Sequence, residues 1–557
     1  MQPGGEKEMS MSTKGKILAG IVLMTVLHGI FGFGTSAIAS SAQVYPGCMV
    51  PPSAPKHIFY VDSVNGSANG DGSQAHPWNS LQAVVSSVNG ASPLLSTVPY
   101  WQRMPNGKWG FAVNPNAPVK PGDALYLMSG NYGDISIGVY GNNIANSDFV
   151  TVMAVPGQVP VLSSLTVNGS NKWYFKGLKV QSLASGYTPC VNIISQINGG
   201  NVASVLDKDI ILDGLSISSQ DDVSDWSQQD WLDNARWLGL SIRKAVCTTV
   251  RNTKIYNVRT GVGLLGDETL FTNNFIDNFG DDALDYAASD LIITNNIITN
   301  SNDLGDGVHL DAMQGQIGDV QPGVESNQYK NILIDSNLVI RQTDPNLKFP
   351  GLLQGIDAFD SDWHNVTVTN NVVITNAYHG IAYYSLHGGV IINNTVLFDG
   401  SSSGSGGQTW IGVFDKSHEG SSSNNVIVRN NIANAYSVYT LDSGVTMDHN
   451  VCSTVDGTCL MSLYAHGKPV WYDNPGVYGN YNIIDQNGSA EEFTDFDPVH
   501  FIFNVQLREG AQAIGAGIPS LAPRLDIAGT TRKPPVDAGA YVYVAGKGGA
   551  DFHSIGR

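Results

Sequence analysis

Short apolar segments that end in asparagine recur along the second half of the chain. They read LFTNNFI (270–276), LIITNNII (291–298), ILIDSNLV (332–339), VTVTNNVV (366–373), VIINNTV (390–396) and VIVRNNI (426–432). The second Asn of each segment falls at 274, 296, 337, 371, 394 and 431, with spacings of 22, 41, 34, 23 and 37. The longer spacings contain polar insertions such as 315–328 and 399–408. This pattern predicts a structural repeat of about 20–25 residues.

A second short strand is predicted before each asparagine segment. These strands are GVGLL (261–265), DALDYA (282–287), GVHLDA (307–312), QGIDAF (354–359), HGIAYY (379–384) and TWIGVF (409–414). One such unit cannot bury its own apolar face, so successive units must stack. The expected fold is all-β, a parallel β-helix from about 120 to 515, in which the repeated asparagines form a structural ladder.

Residues 78–90, WNSLQAVVSSVNG, predict a helix that covers the N-terminal end of this solenoid. Leu81, Val84, Val85 and Val88 have helical i, i+3, i+4, i+7 spacing, and Asn79 or Ser80 can serve as the N-cap. Because an open strand edge needs protection, we expect this helix to close the first turn.

Several segments resemble known proteins. The segments HIFYVDSVNGSANGDGSQAHPWNSLQAVV (57–85), PGDALYLMSGNYG (121–133), VTVMAVPGQVPVL (150–162) and WYFKGLKV (173–180) resemble the opening turns of the pectate-lyase-like superfamily of right-handed parallel β-helices. The closing segments AIGAGIPSL (513–521) and DIAGTTRKPPVDAGAYVY (526–543) are similar to the ends of many secreted members. The resemblance implies one right-handed β-helix domain over 57–545. Function stays open, since the superfamily contains lyases, hydrolases, epimerases and noncatalytic surface proteins.

The N-terminal residues 1–39 are typical of an export signal. Lys14 and Lys16 precede the apolar run 17–33, and the small residues 37–39 suit cleavage before Ser40. An uncleaved anchor is the alternative, because the run is close to the minimum length for a membrane span. We expect a secreted, extracellular or periplasmic monomer without stable membrane association after cleavage. Residues 40–56 are interpreted as a linker and 546–557 as a tail.

Five cysteines follow the expected cleavage point. Cys452 and Cys459 are close enough to close a small loop, and the other three, Cys48, Cys190 and Cys247, allow one further pairing that leaves one thiol over. Their spacing does not suggest zinc, so we expect them to be structural.

The chain is acidic, with 29 Lys plus Arg against 48 Asp plus Glu and a net charge of −19. Such a chain repels the phosphate backbone of nucleic acids, which excludes them as partners. It also repels an acidic polysaccharide unless a cation lies in the site.

Aspartates recur within the predicted leading strands. The alignment LDY, LDA, IDA places Asp285, Asp311 and Asp357 at one position of three successive turns. With Val308, Leu310 and Ala312 packed inward, His309 and Asp311 are expected to face solvent on the same side. Carboxylates stacked about 4.8 Å apart repel by on the order of 3 kcal/mol each. The column therefore predicts either raised pKa values or a bound cation.

Calcium is the expected cation, because carboxylate oxygens crowd the column. Asp281, Asp282 and Asp285 are the predicted ligands, and the segment 281–285 resembles the DDxxD-like calcium cluster of the family 9 pectate lyases. Ala283 replaces the Gly that is usual after the paired Asp. Asp281, Asp282, Asp306 and Asp362 have the alternative interpretation of loop caps.

Side chains from the same turns are predicted to contact a sugar. Aromatic rings pack against the apolar faces of pyranoses. Tyr383 and Tyr384 cannot both point the same way, so one of them is expected in the groove. Trp226, Trp231 and Trp237 lie in an insertion, 219–238, that can form a wall beside the site. His379 and His387 are weaker candidates. The predicted substrate-binding residues are Gln314, Asp360, Trp363, His364, Tyr383, Tyr384 and Lys330.

Two reactions fit this set of residues, with His309, Asp311, Asp306 and Asp357 as the predicted catalytic residues. In β-elimination of a uronate, a cation or an acid neutralises the carboxylate and a base removes the C5 proton. His309, a Tyr, Lys330, Arg341 or Lys348 are candidate bases. In glycoside hydrolysis, Asp311 with Asp285 or Asp357 forms the carboxyl pair. A noncatalytic carbohydrate-binding surface protein is the third hypothesis. Lyase activity on an acidic polysaccharide is the leading expectation.

Overall fold

The structure is a computed structural model that describes residues 44–546 except for short internal segments. These are 139–143, 184–186, 196–205, 317–327, 402–407, 417–420, 439–443, 455–459, 466–467, 473–475, 479–480 and 486–487. The predicted signal or anchor (1–39) lies outside the described residues, as do 40–43 of the linker and 547–557 of the tail. None of the described helices is long and apolar enough to cross a membrane.

Three long parallel sheets wind around one core, and each turn of the chain adds one strand to each sheet in the order 1, 2, 3. The described part of sheet 1 consists of Ile58–Val61, Ala124–Leu127, Val150–Ala154, Asn171–Lys176, Lys208–Asp213, Val246–Arg251, Thr269–Thr272, Leu291–Thr294, Gln328–Asp335, Asp362–Thr369, Leu386–Ile392, Asn424–Arg429 and Thr446–Asp448. The predicted parallel β-helix is therefore confirmed. Its first strand begins at Ile58 rather than near residue 120, and pairs directly with Ala124–Leu127.

Sheets 2 and 3 follow the same stacking. Sheet 2 consists of Gly130–Asn131, Pro160–Leu162, Lys179–Gln181, Ser216–Ser218, Lys254–Val258, Phe275–Phe279, Ile297–Ser301, Leu338–Ile340, Val372–Thr375, Thr395–Phe398, Ile432–Ala433, Val451–Cys452, Asn482–Ile484 and Gly476–Tyr478. Sheet 3 consists of Asp134–Ile137, Ser164–Val167, Val191–Ile194, Leu238–Arg243, Thr260–Leu265, Leu284–Tyr286, Leu310–Gly315, Leu353–Ala358, His379–Tyr384, Trp410–Phe414, Ala435–Val438, Leu460–Ala465 and Lys468–Tyr472. The last strands of sheets 2 and 3 pair antiparallel.

The remaining elements lie at the ends of the solenoid or in insertions. Two antiparallel hairpins join Tyr100–Arg103 to Trp109–Ala112 and Phe493–Asp497 to Ile502–Leu507. The helices are Leu81–Val85, Gln228–Asn234 and Ser489–Glu492, with a 3₁₀ turn at Pro498–His500.

The asparagine ladder lies in the turn between sheets 1 and 2, and it is confirmed. Each buried ladder Asn accepts, at its Oδ1, the backbone N–H and the side-chain N–H of the Asn one turn before it, at 2.9–3.1 Å. The left-handed backbone conformation occurs one residue earlier, for example at Asn295 with φ 56° and Asn370 with φ 54°. The ladder continues past the predicted residues through Asn450 and Asn482.

Asn337→Ala is expected to lower the free energy of unfolding by about 3 kcal/mol, because several buried polar groups lose their partners. Asn337 accepts two hydrogen bonds from Asn296 and donates to the carbonyl of Ile293 and to Asn371. Denaturant unfolding measures the change. The control is Asn116→Ala at an exposed position. An equally small loss of unfolding free energy in both variants would show that the ladder does not stabilise the fold.

The helix Leu81–Val85 covers the N-terminal end of the solenoid, as expected. Ser80 is the N-cap and accepts from the Ala83 N–H at 3.2 Å. Leu81, Val84 and Val85 are buried in the main core, which closes the first turn. Val88 lies beyond the helix and is 37% exposed, so the predicted apolar stripe is one position too long.

The C-terminal segment packs across the outer face of sheet 2. Phe493, Phe503 and Leu507 of the hairpin bury against Leu338 and Ile374 on that face. This second apolar layer begins at the strand Ile297–Ser301 and leaves the two preceding strands of sheet 2 uncovered.

A disulfide attaches the start of the described chain to sheet 1. Cys48 bonds to Cys247, and Tyr45 packs on Leu270 and neighbouring apolar residues of the outer face of sheet 1. Cys190 is the free thiol among the described cysteines. Cys452 is also disulfide-bonded, while Cys459 lies outside the described residues.

Candidate functional site

The predicted acidic residues gather on the outer face of sheet 3, but in a different register from the one expected. Asp285 pairs with Gln314, and Gln314 pairs with Asp357, so these three form one file across three turns. Asp311 pairs with Gln354 and lies three residues before that file. The prediction that Asp285, Asp311 and Asp357 share one position is therefore wrong.

The physical reason is the start and the irregular alternation of the strand Leu310–Gly315. The strand begins at Leu310 rather than at Gly307, and both Ala312 and Met313 are buried in the core. Two successive inward residues shift the outward positions to Asp311 and Gln314. A strict alternation cannot anticipate this shift.

The shifted register creates a second file beside the first. The Asp311 N–H donates to Asp282 Oδ1 at 2.9 Å, and the Ala283 N–H donates to the Asp311 carbonyl at 2.8 Å. Asp282, Asp311 and Gln354 thus lie side by side, three residues before Asp285, Gln314 and Asp357. We call Asp282, Asp285, Asp311 and Asp357 the carboxyl cluster.

Three members of the carboxyl cluster are buried and Asp285 is partly exposed, whereas the sequence predicted solvent-facing side chains. Asp311 is 0% and Asp357 is 2% exposed. Burial raises the pKa of Asp357 to about 7 and the pKa of Asp285 to about 6. Burial, with repulsion from neighbouring carboxylates, raises the pKa of Asp311 and Asp282 well above 3.8. The expected raised pKa values are present, and their first cause is desolvation rather than stacking.

Two carboxylate oxygens of the cluster are buried without a hydrogen-bond donor in the described part of the chain. Asp311 Oδ1 and Asp357 Oδ2 are buried, and no donor reaches them among the described residues. The two carboxyl groups interact side chain to side chain, which raises the pKa of Asp311 and lowers that of Asp357. This interaction favours a proton on Asp311 rather than on Asp357. The other oxygen of Asp311, Oδ2, accepts a hydrogen bond from Gln314 Nε2 at 3.2 Å.

His379 and Tyr384 extend the cluster on the next turn. His379 Nδ1 lies 3.8 Å from Asp357 Oδ2, and Nε2 lies 3.2 Å from the Tyr384 hydroxyl. Burial lowers the pKa of His379 to about 4, so the imidazole is neutral at neutral pH. Sequence reasoning gave His379 little weight, although its strand follows that of Asp357 in the repeat.

His309 and Asp306 lie in the loop before the strand Leu310–Gly315. His309 is exposed, and the inward position predicted for Val308 is wrong because Val308 is 40% exposed. Asp306 forms an ion pair with Arg259, whose guanidinium lies 4.2 Å from the Trp237 ring centroid. Both residues are therefore at the border of the carboxyl cluster rather than in it.

Several predicted sugar contacts are core or distant residues. Trp363 and Tyr383 are fully buried, so the prediction that they contact substrate is wrong. Tyr383 bonds to the Tyr286 hydroxyl at 2.9 Å, and Trp363 packs on Tyr286. Tyr384 is the outward member of the tyrosine pair, as the alternation requires. Its ring stacks on the Phe414 ring and contacts the Phe359 ring, with centroid distances of 4.6 Å and 4.8 Å.

Other candidates lie away from the cluster because their strands belong to sheet 1. Lys330 and His364 pair with each other across neighbouring strands of sheet 1, and the His364 ring stacks on His387. The geometry therefore contradicts a substrate contact at the cluster for both. Asp360 follows the strand Leu353–Ala358 and raises the pKa of Asp357 slightly through its charge.

The remaining candidate bases also lie elsewhere. Arg341 forms an ion pair with Asp399. Lys348 Nζ donates to the Trp226 carbonyl at 2.7 Å, on the side of sheet 2. In the insertion 219–238, Trp226 and Trp231 pack on each other, while Trp237 faces Arg259. Only Trp237 therefore lies on the side of the carboxyl cluster.

Two of the three predicted calcium ligands, Asp282 and Asp285, interact side chain to side chain, but the three do not form a compact set. Among the described residues, the one set of three potential ligand atoms within 4.8 Å of one another is at Cys48, Cys247 and Glu268, and its two cysteines form the disulfide. Asp281, Asp282 and Asp285 do not form such a set, and Asp281 accepts instead from Thr260 Oγ1 at 3.2 Å. Calcium binding stays a prediction, and no step proposed below uses the ion.

Comparison with known proteins supports the fold. Residues 238–410 match the family described as the right handed beta helix region. No curated protein matches the chain in sequence. The family match supports the right-handed parallel β-helix that the resemblance implied, whereas the likeness to family 9 pectate lyases is not confirmed.

Solved structures with a similar winding have low identity to this chain. The A-module of the Azotobacter vinelandii mannuronan C-5 epimerase AlgE6 has 12% identity and a TM-score of 0.35, covering 61% of this chain and 85% of its own. A rhamnogalacturonan lyase has 13% identity and a TM-score of 0.36, covering 71% and 87%. PfbA, a surface adhesin of Streptococcus pneumoniae, has 11% identity and a TM-score of 0.33, covering 66% and 88%.

Proposed function

We propose that this chain is a carbohydrate-active enzyme that cleaves a uronate-containing polysaccharide by β-elimination on the outer face of sheet 3. One observation carries the proposal: the buried Asp311 and Asp357 interact side chain to side chain, and Asp357 adjoins a neutral imidazole that contacts a phenol. An acid and a base are therefore available at neutral pH within one site.

The first requirement of the reaction is an acid that neutralises the uronate carboxylate. The C5 proton of a uronate becomes acidic only when the charge of its carboxylate is neutralised. In the proposal, Asp285, which is partly exposed and whose pKa is raised to about 6, carries the proton that hydrogen-bonds to that carboxylate, because Asp311 and Asp357 are too buried to reach the substrate. The high pKa values also lower the negative charge of the cluster, which reduces repulsion of an acidic polymer by this acidic chain.

The second requirement is a base that removes the C5 proton. Neutral His379 accepts the phenolic proton of Tyr384 at Nε2, and the phenolate oxygen then takes the C5 proton of the sugar. The C4–O bond breaks as the C4–C5 double bond forms. The imidazolium returns its proton through Tyr384 to the departing C4 oxygen, so protons and electron pairs balance. Asp357, 3.8 Å from Nδ1, stabilises the transient imidazolium.

Glycoside hydrolysis is a second candidate because of the separation of two cluster carboxyls. Asp285 and Asp357 lie two strands apart in the same file, with Gln314 between them. Two strand spacings are about 9.6 Å, close to the range for an inverting pair of carboxyl groups. Asp311 and Asp357 are too close to each other for this purpose.

The reaction products distinguish the candidates. Purified protein is incubated with uronate polysaccharides, and both ultraviolet absorbance and new reducing ends are followed. Elimination is expected to give both, because each cleavage leaves a conjugated C4–C5 double bond. Reducing ends without the absorbance would replace the lyase proposal by hydrolysis, and binding without either product would favour the noncatalytic surface protein. An excess of EDTA in a parallel sample tests calcium, and undiminished activity there would reject the predicted ion.

We also propose that the protein is exported through residues 1–39. The Cys48–Cys247 disulfide and the second disulfide at Cys452 support an oxidising compartment, where structural disulfides persist. Secretion would place the site where polysaccharides occur.

A further inference from the structure

A second cavity lies on the outer face of sheet 2, separate from the carboxyl cluster on sheet 3. Its volume is about 390 Å³. The floor consists of the strands Lys254–Val258, Phe275–Phe279 and Ile297–Ser301, and the apolar layer of the C-terminal segment begins at the last of these strands. The insertion 221–231 forms one wall and the loop 344–348 the other. The volume is in the range of small-molecule sites.

The two walls are fixed to each other. Lys348 Nζ in the loop donates to the Trp226 carbonyl at 2.7 Å, and Phe349 packs into the cluster of Trp226, Trp231 and Leu304. On the floor side, the Tyr256 hydroxyl donates to Asp221 Oδ1 at 2.7 Å. The cavity is therefore largely preformed, which lowers the ordering cost of binding a ligand.

Side-chain amides in fixed orientations line the cavity. Asn302 Nδ2 donates to Asn278 Oδ1, and Asn278 Nδ2 donates to Asn257 Oδ1, both at 2.7 Å. Asn257 in turn donates to the Gln220 carbonyl at 2.8 Å. Asn257 Nδ2 also donates to the Asp221 carbonyl at 3.0 Å, so both of its hydrogens are used, whereas the partly exposed Asn278 amide keeps one hydrogen and one lone pair for a ligand. The chain thus sets donors and acceptors in a defined order along the floor.

Charged groups complete the lining and exclude an anionic ligand. Asp277 Oδ1 accepts a hydrogen bond from Asn300 Nδ2 at 2.8 Å. Lys254 lies on the same face, with its Nζ 4.8 Å from the Tyr256 ring centroid. The lining carries four aspartates against two lysines. This excess of negative charge disfavours phosphates and uronates.

We propose that this cavity binds a neutral saccharide unit. Sugar hydroxyls both donate and accept hydrogen bonds, and they match a lining of amide, carboxylate and ammonium groups. The site is independent of the proposed lyase activity. A neutral side branch or a neutral segment of a polysaccharide would be held here, on a different face from the carboxyl cluster.

The test uses glucose, galactose, mannose and xylose as probes, with galacturonate and inorganic phosphate as anionic controls. Saturation-transfer NMR on the full chain is expected to detect at least one neutral sugar, and its signal is expected to persist when galacturonate or inorganic phosphate is added in excess. Ser224→Trp fills the mouth from an exposed wall position, and Asp277→Asn removes the carboxylate. Both are expected to weaken binding at least tenfold.

Two controls separate this site from the carboxyl cluster. Asp233→Asn, on the exposed face of the same insertion, and Asp357→Asn, on sheet 3, are expected to leave sugar binding unchanged. Failure of all four sugars to bind, binding that persists in a folded Ser224→Trp protein, or loss of binding in Asp357→Asn would each overturn the proposal. Thermal unfolding of every variant checks that it is folded.

Discussion

Asp357→Asn is expected to lower kcat on a uronate polysaccharide by roughly 10³-fold, within the range for loss of a proton-transfer group. The amide preserves the shape of the side chain but cannot share a proton with Asp311 or stabilise the His379 imidazolium. Asp357 is 2% exposed and lies 3.8 Å from His379 Nδ1, so the substitution acts at the centre of the site. Initial rates of product absorbance measure the effect.

Asp335→Asn is the matched control for this change. Asp335 is also buried, and burial raises its pKa to about 6, but it lies in sheet 1 and accepts from Thr369 and Asn370. This variant should lose stability and keep its turnover number while folded. Turnover of Asp357→Asn near that of the wild type would remove the carboxyl pair from the mechanism.

The base side of the site is tested in the same assay. Tyr384→Phe removes the hydroxyl 3.2 Å from His379 Nε2 and is expected to lower kcat by roughly 10²-fold or more. Tyr378→Phe is the matched control, because its ring packs on the other side of His379 at 4.3 Å. If both variants lose activity equally, the hydroxyl of Tyr384 is not the proton carrier.

The fold was predictable because its signal repeats. Asn296, Asn337 and Asn371 each occupy the same turn position, and each satisfies its neighbour's backbone, so the residue type and its spacing reflect one physical requirement. The capping helix followed from ordinary helical spacing. Both are local rules applied many times along the chain, and a local error at one turn does not change the result.

The prediction of the site depended on one irregular strand, Leu310–Gly315, in which inward and outward residues do not strictly alternate. The successive inward residues Ala312 and Met313 move Asp311 out of the expected file. Burial of the carboxyl groups depends on loops and on neighbouring turns, which the alternation of one strand does not reveal. His379 illustrates the same limit, since its role depends on the position of Asp357 one turn earlier. The residue types in the site were predictable, whereas their register and burial were not.

The free energy of unfolding is expected to fall as the pH rises from about 5 to 8 in the calcium-free protein. The pKa of Asp357 in the folded state is about 7, above its ordinary value of 3.8, and the pKa of Asp285 is about 6. A raised pKa means that the folded state binds the proton more tightly than the unfolded chain. Its stabilisation is complete below the unfolded pKa and is lost as the pH rises through the folded pKa.

The size of the effect and its window follow from these values. The Asp357 pKa alone corresponds to on the order of 4 kcal/mol. Carboxyl groups with lowered pKa, such as Asp213 and Asp448 beside arginines, act in the opposite direction but below about pH 4. His379, whose pKa burial lowers to about 4, opposes the fall between about pH 4 and 6.5, so the window above about pH 6.5 belongs mainly to buried acids such as the carboxyl cluster.

Denaturant unfolding in EDTA at several pH values between 5 and 8 measures the slope. Asp357→Asn is expected to flatten it, since the amide is neutral in both states and no proton is lost. Glu491→Gln, at an exposed carboxyl group, should leave the slope unchanged. A wild-type protein whose stability stays constant or rises over this range would show that the cluster is ionised in the folded state, and the proton proposed on the cluster would then be absent.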